Sequence, residues 1–249
     1  MAKKQKQDQS VYRKRTSSLQ RRLEALAYQN GADLFGVADL VQAHEFIVNQ
    51  GGAMLGEFPR GISIGMRLSD TIVDTHSPEE KHGLSLYWWH VYSVITPMLD
   101  VLAQRIQHEL QAEGYRTLHV PGSMPYNRKT LKSLLPHKLA AHLSGLGWIG
   151  KSCLLITPGF GPRVRFVTVL TDAPLQTGKS LDKKCGKCKR CIEACPVQAL
   201  KGIEFRPEEP VETRFDNRKC EQYRSTNPCG ICVAACPFGR PSSNPVIRE

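Results

Sequence analysis

Eight of the nine cysteines fall between Cys185 and Cys236, and their spacing is the first sign of chemistry in this 249-residue chain. The run Cys185-x2-Cys188-x2-Cys191-x3-Cys195-Pro196 is the pattern that wraps three thiolates around one iron–sulfur cube and sends the fourth to another. An x2-x2 loop turns back on itself, so three sulfurs can face a single centre. The residue before a proline is held extended, so the Cys195 sulfur points away. A second run, Cys220-x8-Cys229-x2-Cys232-x3-Cys236-Pro237, repeats the motif with the more distant Cys220 in place of its first cysteine. Eight thiolates suit two 4Fe–4S clusters, with Cys185, Cys188, Cys191 and Cys236 on one and Cys195, Cys220, Cys229 and Cys232 on the other. Two zinc sites or unligated thiols are the alternatives, although zinc usually takes paired knuckles. Cys153 stands apart in an apolar strand pattern and reads as a buried small hydrophobe rather than a ligand or nucleophile.

Such a wire needs a scaffold and an acceptor. About 180 residues precede the cysteines, far more than a ferredoxin requires, and 41% apolar against 23% charged residues is an ordinary soluble balance that can bury a core. Collagen-like, disordered and coiled-coil classes are thereby excluded. The net charge of +11 is uneven: residues 1–22 carry eight Lys/Arg against one Asp, and residues 114–171 carry eight with no carboxylate. The first block reads as a solvated tail over 1–16 with the start of a helix, and it would attract RNA loosely. The second coincides with a Gly-rich centre where a positive field could hold a phosphate-bearing cofactor, or it is scattered surface charge. Around the first cysteine loop, Lys183, Lys184, Lys187, Lys189 and Arg190 would favour a reduced cluster and suit an acidic electron donor such as ferredoxin or flavodoxin. Ordinary solvated loop lysines are the alternative.

Helical spacing of Leu19, Leu23, Leu26 and Ala27 predicts a helix over 17–30 ended by Gly31. Strands are expected over 33–38, 61–68, 115–120, 153–157 and 163–170, with a long helix over 84–113 interrupted near Pro97 and another from Pro136 to Ser144. The mixture predicts an α/β or α+β domain over 17–175 and a cluster module over 176–249, joined by a polar connector. The basic start is followed by no apolar stretch, so no secretory signal is expected and a cytoplasmic setting with reduced thiols is. The most apolar stretch, 83–102, is broken by His90, Pro97 and Asp100 and is expected to be a buried helix, with no membrane partner.

The segment Gly145-Leu-Gly-Trp-Ile-Gly-Lys151, joined to the two cysteine runs, resembles the epoxyqueuosine reductases and the related reductive dehalogenases. The resemblance covers about residues 139–240 well and the N-terminal third loosely. It implies a nitroreductase-like N-terminal domain, a ferredoxin-like double 4Fe–4S module and a cobalamin reduced by the clusters. Carried onto this sequence, it makes Gly145, Gly147, Trp148, Gly150 and Lys151 corrinoid-pocket candidates, with Thr157, Pro158, Gly161, Arg163 and Arg165 beside them. Trp148 as plain core is the alternative. No Asp-x-His-x-x-Gly cobalamin signature occurs, and Asp74-Thr-His76 only starts like one.

The resemblance also implies an aspartate proton donor about fourteen residues before the Gly-Leu-Gly-Trp motif. Counting back reaches Leu131, and no Asp or Glu occurs from Gly114 to Thr171. A tyrosine beside a cation can serve instead, which points to Tyr126 in Pro125-Tyr-Asn-Arg-Lys, with His137 and His142 as alternatives. The expected function is an iron–sulfur reductase acting through cobalamin on a small organic or nucleoside substrate. A non-catalytic electron-transfer or adaptor protein is the runner-up, and direct tRNA modification a weaker third.

Overall fold

The computed structural model describes residues 17–75, 81–123 and 129–240, excepting the side chains of 81–84. The basic tail and Tyr126 lie outside the described residues. Helix α1 covers 17–29 and leads into β1 (Leu34–Asp39), followed by the short helices α2 (His44–Gly51) and α3 (Ala53–Gly56). Then come β2 (Arg60–Arg67), α4 (Asp70–Asp74), α5 (Lys81–Trp89), α6 (Thr96–Ala112) and β3 (Thr117–Val120). Helix α7 (His137–Leu143), the two-residue strands β4 (Trp148–Ile149) and β5 (Leu155–Ile156), and β6 (Val164–Thr171) complete the N-terminal part. The cysteine region adds α8 (Arg190–Glu193), α9 (Asn217–Arg224) and α10 (Ile231–Ala234).

The main sheet has the order β1-β2-β6-β3, and every pair in it is antiparallel, which is the α+β form of the expected helix–strand mixture. Strand side chains alternate between faces. On β2, Ile62, Ile64 and Met66 enter one core with Leu99, Leu102 and Ile106 of α6 and Leu19 and Leu23 of α1. The other face of β1 and β2 presents Gly36, Gly61 and Ser63, and a Cβ on Gly36 would lie 2.8 Å from Ser144 Oγ. Small residues there let α7 lie close on the sheet. Leu40, Ile47 and Leu55 pack with Ala140 and Leu143 of α7 in the second core, so the sheet is covered on both faces.

The long helix is interrupted before Pro97 by a π turn over His90–Ile95. Proline has no N–H for the Ser93 carbonyl. The preceding Thr96 closes the wider turn with both its N–H and its hydroxyl on Val91 O, the latter at 2.7 Å. Cys153 does not lie in a strand: the expected run over 153–157 narrows to β5, and Cys153 sits in the β4–β5 turn at φ 57°. Burial made that apolar run look extended. No helix among the described residues is long and apolar enough to cross a membrane.

Candidate functional site

Residues 180–189 form an irregular loop, and Cys185 and Cys188 close a tight turn in it through Cys188 N–H donating to Cys185 O at 3.2 Å. Cys191 follows on α8. The second run repeats this layout, with Cys232 on α10, and α8 and α10 pack on each other. Between the runs the chain folds back, with Lys201 N–H donating to Arg214 O and Asp216 N–H to Ala199 O. Asp216 then caps α9, accepting from Lys219 N–H at 3.0 Å, and this helix delivers Cys220.

The structure gathers the thiols in two groups. Cys185, Cys188, Cys191 and Cys236 line one cavity together with Lys151, Ser152, Ile156 and Phe238. Cys195, Cys220, Cys229 and Cys232 are mutual electrostatic neighbours beside the buried Tyr87 of α5. Burial pushes the thiols up, Cys191 and Cys220 to about 11 and Cys236 to about 12, and neighbouring sulfurs add to the rise. Metal binding expels such protons, so each group has the donor chemistry of a cluster site. Among the described residues, no three His, Cys, Asp or Glu side chains converge closely enough for a single metal ion.

The corrinoid candidates are engaged in other work. Arg163 is fully buried and donates to Asp70 at 3.1 Å and Asp74 at 2.5 Å. Thr157, equally buried, donates its hydroxyl to Gly161 O at 3.1 Å. Lys151 Nζ reaches Gly186 O at 2.5 Å and Cys188 O at 3.5 Å. Trp148 is 3% exposed and meets Phe238 edge to face at 5.2 Å. Gly147 is pressed on the Ile156 carbonyl, Gly145 on Lys179, and Gly161, at φ 55°, on the Phe238 carbonyl of the cysteine module. Pro158 is exposed. Arg165 is half-buried, donating to Gly122 O and Ser123 Oγ with its guanidinium 4.8 Å from the Tyr92 ring centroid. Lys151, Trp148 and Gly161 thus bind the cysteine module to the N-terminal part, while Arg163, Thr157 and Arg165 are held within the N-terminal part itself. Sequence reasoning missed this docking role, for which the close Gly-x-Gly and Gly-x-x-Gly spacing was a signal.

His142 Nδ1 lies 3.1 Å from Gly147 O, and the ring stacks edge-on with Phe205. It lines a cavity at the seam with Trp148, Lys183 and Glu204. His137 is enclosed between Thr168 Oγ1 at 2.9 Å and Pro121 O at 3.0 Å. Burial first, then the nearby Arg165 and His119 charges, push its pKa down to about 4 against the raising effect of Pro121 O and Asp100. The unfolded chain therefore takes up a proton between about pH 6.5 and 4 that the folded chain refuses. Stability is full above 6.5 and falls on acidification by up to about 1.4 kcal/mol per pH unit. His90, also lowered by burial, adds in the same direction. Thermal midpoints from pH 7 to 4.5 are expected to fall less steeply in His137→Gln than in the wild type; equal slopes would refute the buried neutral imidazole.

Comparison with known proteins adds the context of this arrangement. Residues 184–240 match the 4Fe-4S dicluster domain family. The epoxyqueuosine reductase of Leadbetterella byssophila is 28% identical over 213 residues, covering 74% of this chain and 64% of that protein. The tetrachloroethene reductive dehalogenase of Sulfurospirillum multivorans is 35% identical over 109 residues, covering 38% and 22%. Among solved structures, a catabolic reductive dehalogenase superposes with a TM-score of 0.65 at 19% identity, covering 91% of this chain and 32% of that one. A selenomethionine-labelled epoxyqueuosine reductase gives 0.57 at 16% identity, covering 90% and 66%. These curated relatives are longer proteins, of which the chain spans 64% and 22%. The chain is thus an iron–sulfur relative of the epoxyqueuosine reductases and reductive dehalogenases, with a 4Fe-4S dicluster domain over residues 184–240.

Proposed function

We propose that this chain is an iron–sulfur reductase that takes single electrons from an acidic donor and passes them through two 4Fe–4S clusters to an acceptor on its N-terminal part. The observation that carries this reading is the gathering of Cys185, Cys188, Cys191 and Cys236 around one cavity, with the other four cysteines grouped beside it. The thiolates would hold the clusters, and the exposed Lys183, Lys184 and Lys187 face solvent where a donor such as ferredoxin or flavodoxin could dock. A boundary near residue 175, a nitroreductase-like layering of the N-terminal domain and a cytoplasmic setting belong to the same proposal.

Cobalamin is the acceptor favoured by the likeness to a solved dehalogenase whose description names B12-dependent dehalogenation. The side chains expected to cradle it are engaged with protein partners: Arg163 with Asp70 and Asp74, Lys151 with Gly186 O. Another structural neighbour is an epoxyqueuosine reductase with an epoxyqueuosine-modified tRNA stem loop, which makes tRNA the second substrate class beside small organic molecules. The runner-up is an electron-transfer adaptor with no acceptor of its own, favoured by the buried and paired state of Arg163 and Lys151. Anaerobic reconstitution with iron, sulfide and cobalamin, followed by desalting and metal analysis, separates the two. About eight irons with about one cobalt per chain are expected for the reductase. About eight irons without cobalt would make the chain an adaptor and direct the search to its partner.

A further inference from the structure

Three elements of the Gly-Leu-Gly-Trp-Ile-Gly-Lys segment converge on the loop that carries Cys185. A Cβ on Gly150 would stand 3.1 Å from the Cys185 sulfur, so the backbone passes within contact of it. Lys151 Nζ holds the loop by Gly186 O and Cys188 O, and its own charge lies 3.6 Å from Glu204. The other oxygen of Glu204 accepts from Cys185 N–H at 3.4 Å, so the carboxylate closes the same ring of contacts from the opposite side. Trp148 brings a buried indole N–H that has no hydrogen-bond partner among the described residues. The indole packs in one cluster with Ile156 and Cys236, beside the Cys185 loop.

We propose that this segment is the seat of the cluster held by Cys185, Cys188, Cys191 and Cys236, and that Trp148 and Lys151 raise its reduction potential while Glu204 lowers it. The inference rests on the ligand grouping above and is independent of cobalamin. Taking up one electron makes a cluster and its thiolates more negative. Hydrogen bonds to sulfur and a nearby cation stabilise that reduced form, and a nearby carboxylate opposes it. Lys151 lies among these ligands in the same buried cavity, where solvent screens its charge weakly. These are positioning residues: none supplies a cluster ligand.

The test is an anaerobic redox titration of the reconstituted full chain, followed by electron paramagnetic resonance with dithionite as the reductant. In Lys151→Gln, one of the two transitions is expected to move down, so that its reduced-to-oxidised ratio at fixed potential falls at least tenfold, about 59 mV for one electron. Trp148→Phe, which keeps a ring against Phe238, is expected to move the same transition down by a smaller amount. Glu204→Gln is expected to move it up. The transition that moves must be the one lost in Cys191→Ala, while the other stays in place. General loosening of the site would shift both carboxamide variants in the same direction, and that outcome overturns the proposal, as does an unmoved transition in Trp148→Phe and Glu204→Gln. Should Lys151→Gln fail to take up iron, those two variants decide alone. A wild-type chain that never reaches about eight irons would instead sink the cluster reading underneath.

Discussion

Replacement of Cys191 by alanine is expected to drop the iron content of the reconstituted chain from about eight toward about four per molecule, with sulfide falling in parallel. Cys191 starts α8 and faces the cavity shared with Cys185, Cys188 and Cys236. Its sulfur also bears on Cys232, which places it on the side of the first site that faces the second. Removing it leaves three thiolates around a cube that needs four, in a cavity whose remaining lining is Ile156, Pro237, Phe238, the cationic Lys151 and the Ser152 hydroxyl, none of them a thiolate. The wild-type transition of that cluster should disappear from the redox titration while the second persists. Cys153→Ala provides the control. Its thiol is 5% exposed in the β4–β5 turn beside Arg214, away from both groups, so its loss should leave iron and sulfide unchanged. Unchanged iron in Cys191→Ala, or matching losses in both variants, would overturn the ligand grouping.

The cysteines were legible because a cluster dictates its own spacing. Three sulfurs must reach one centre from a short loop, and Pro196 and Pro237 fix the direction of the fourth. The strands of the main sheet were legible for a similar reason: Ile62, Ile64 and Met66 alternate with small residues, and the period-2 pattern survives burial on both faces. The helices α2, α3 and α4 left a weaker trace, since segments of four to eight residues hold too few turns for a 3.6-residue period to show. The glycine-rich centre also has a role that its sequence did not show. Gly145, Gly147, Gly150 and Gly161 do mark close backbone approach, as glycine does. What approaches is the chain itself, at Lys179, Ile156, Cys185 and Phe238, because long-range packing chooses the partner and the local sequence names only the need for one.

Arg163 shows the same confusion between a charge that awaits a ligand and one already answered, and its replacement by methionine is expected to cost about 3 kcal/mol of stability. The side chain, just before β6, is 0% exposed, and its two terminal nitrogens fork to Asp70 and Asp74 of α4, while Leu68 N–H donates to its backbone carbonyl at 2.8 Å. Helix α4 packs against both α5 and α10, so this guanidinium ties the N-terminal sheet to the helix that carries Cys232. Methionine fills comparable space but removes the buried cation from between two carboxylates, leaving Asp70, which is 18% exposed, with Arg67 alone and α4 without its anchor. Asp74, 47% exposed, can turn to water, which keeps the expected cost at the lower end for a broken buried pair. For a chain of this size, about 3 kcal/mol corresponds to a fall in thermal midpoint of roughly 6–12 °C. Arg163→Lys should recover only part of it, since an ammonium cannot fork to two carboxylates. An arginine kept for a phosphate ligand would behave in the opposite way: Arg163→Met would leave the thermal midpoint of the ligand-free chain within a degree or two and abolish cobalt retention. That pair of results would return Arg163 to the cofactor.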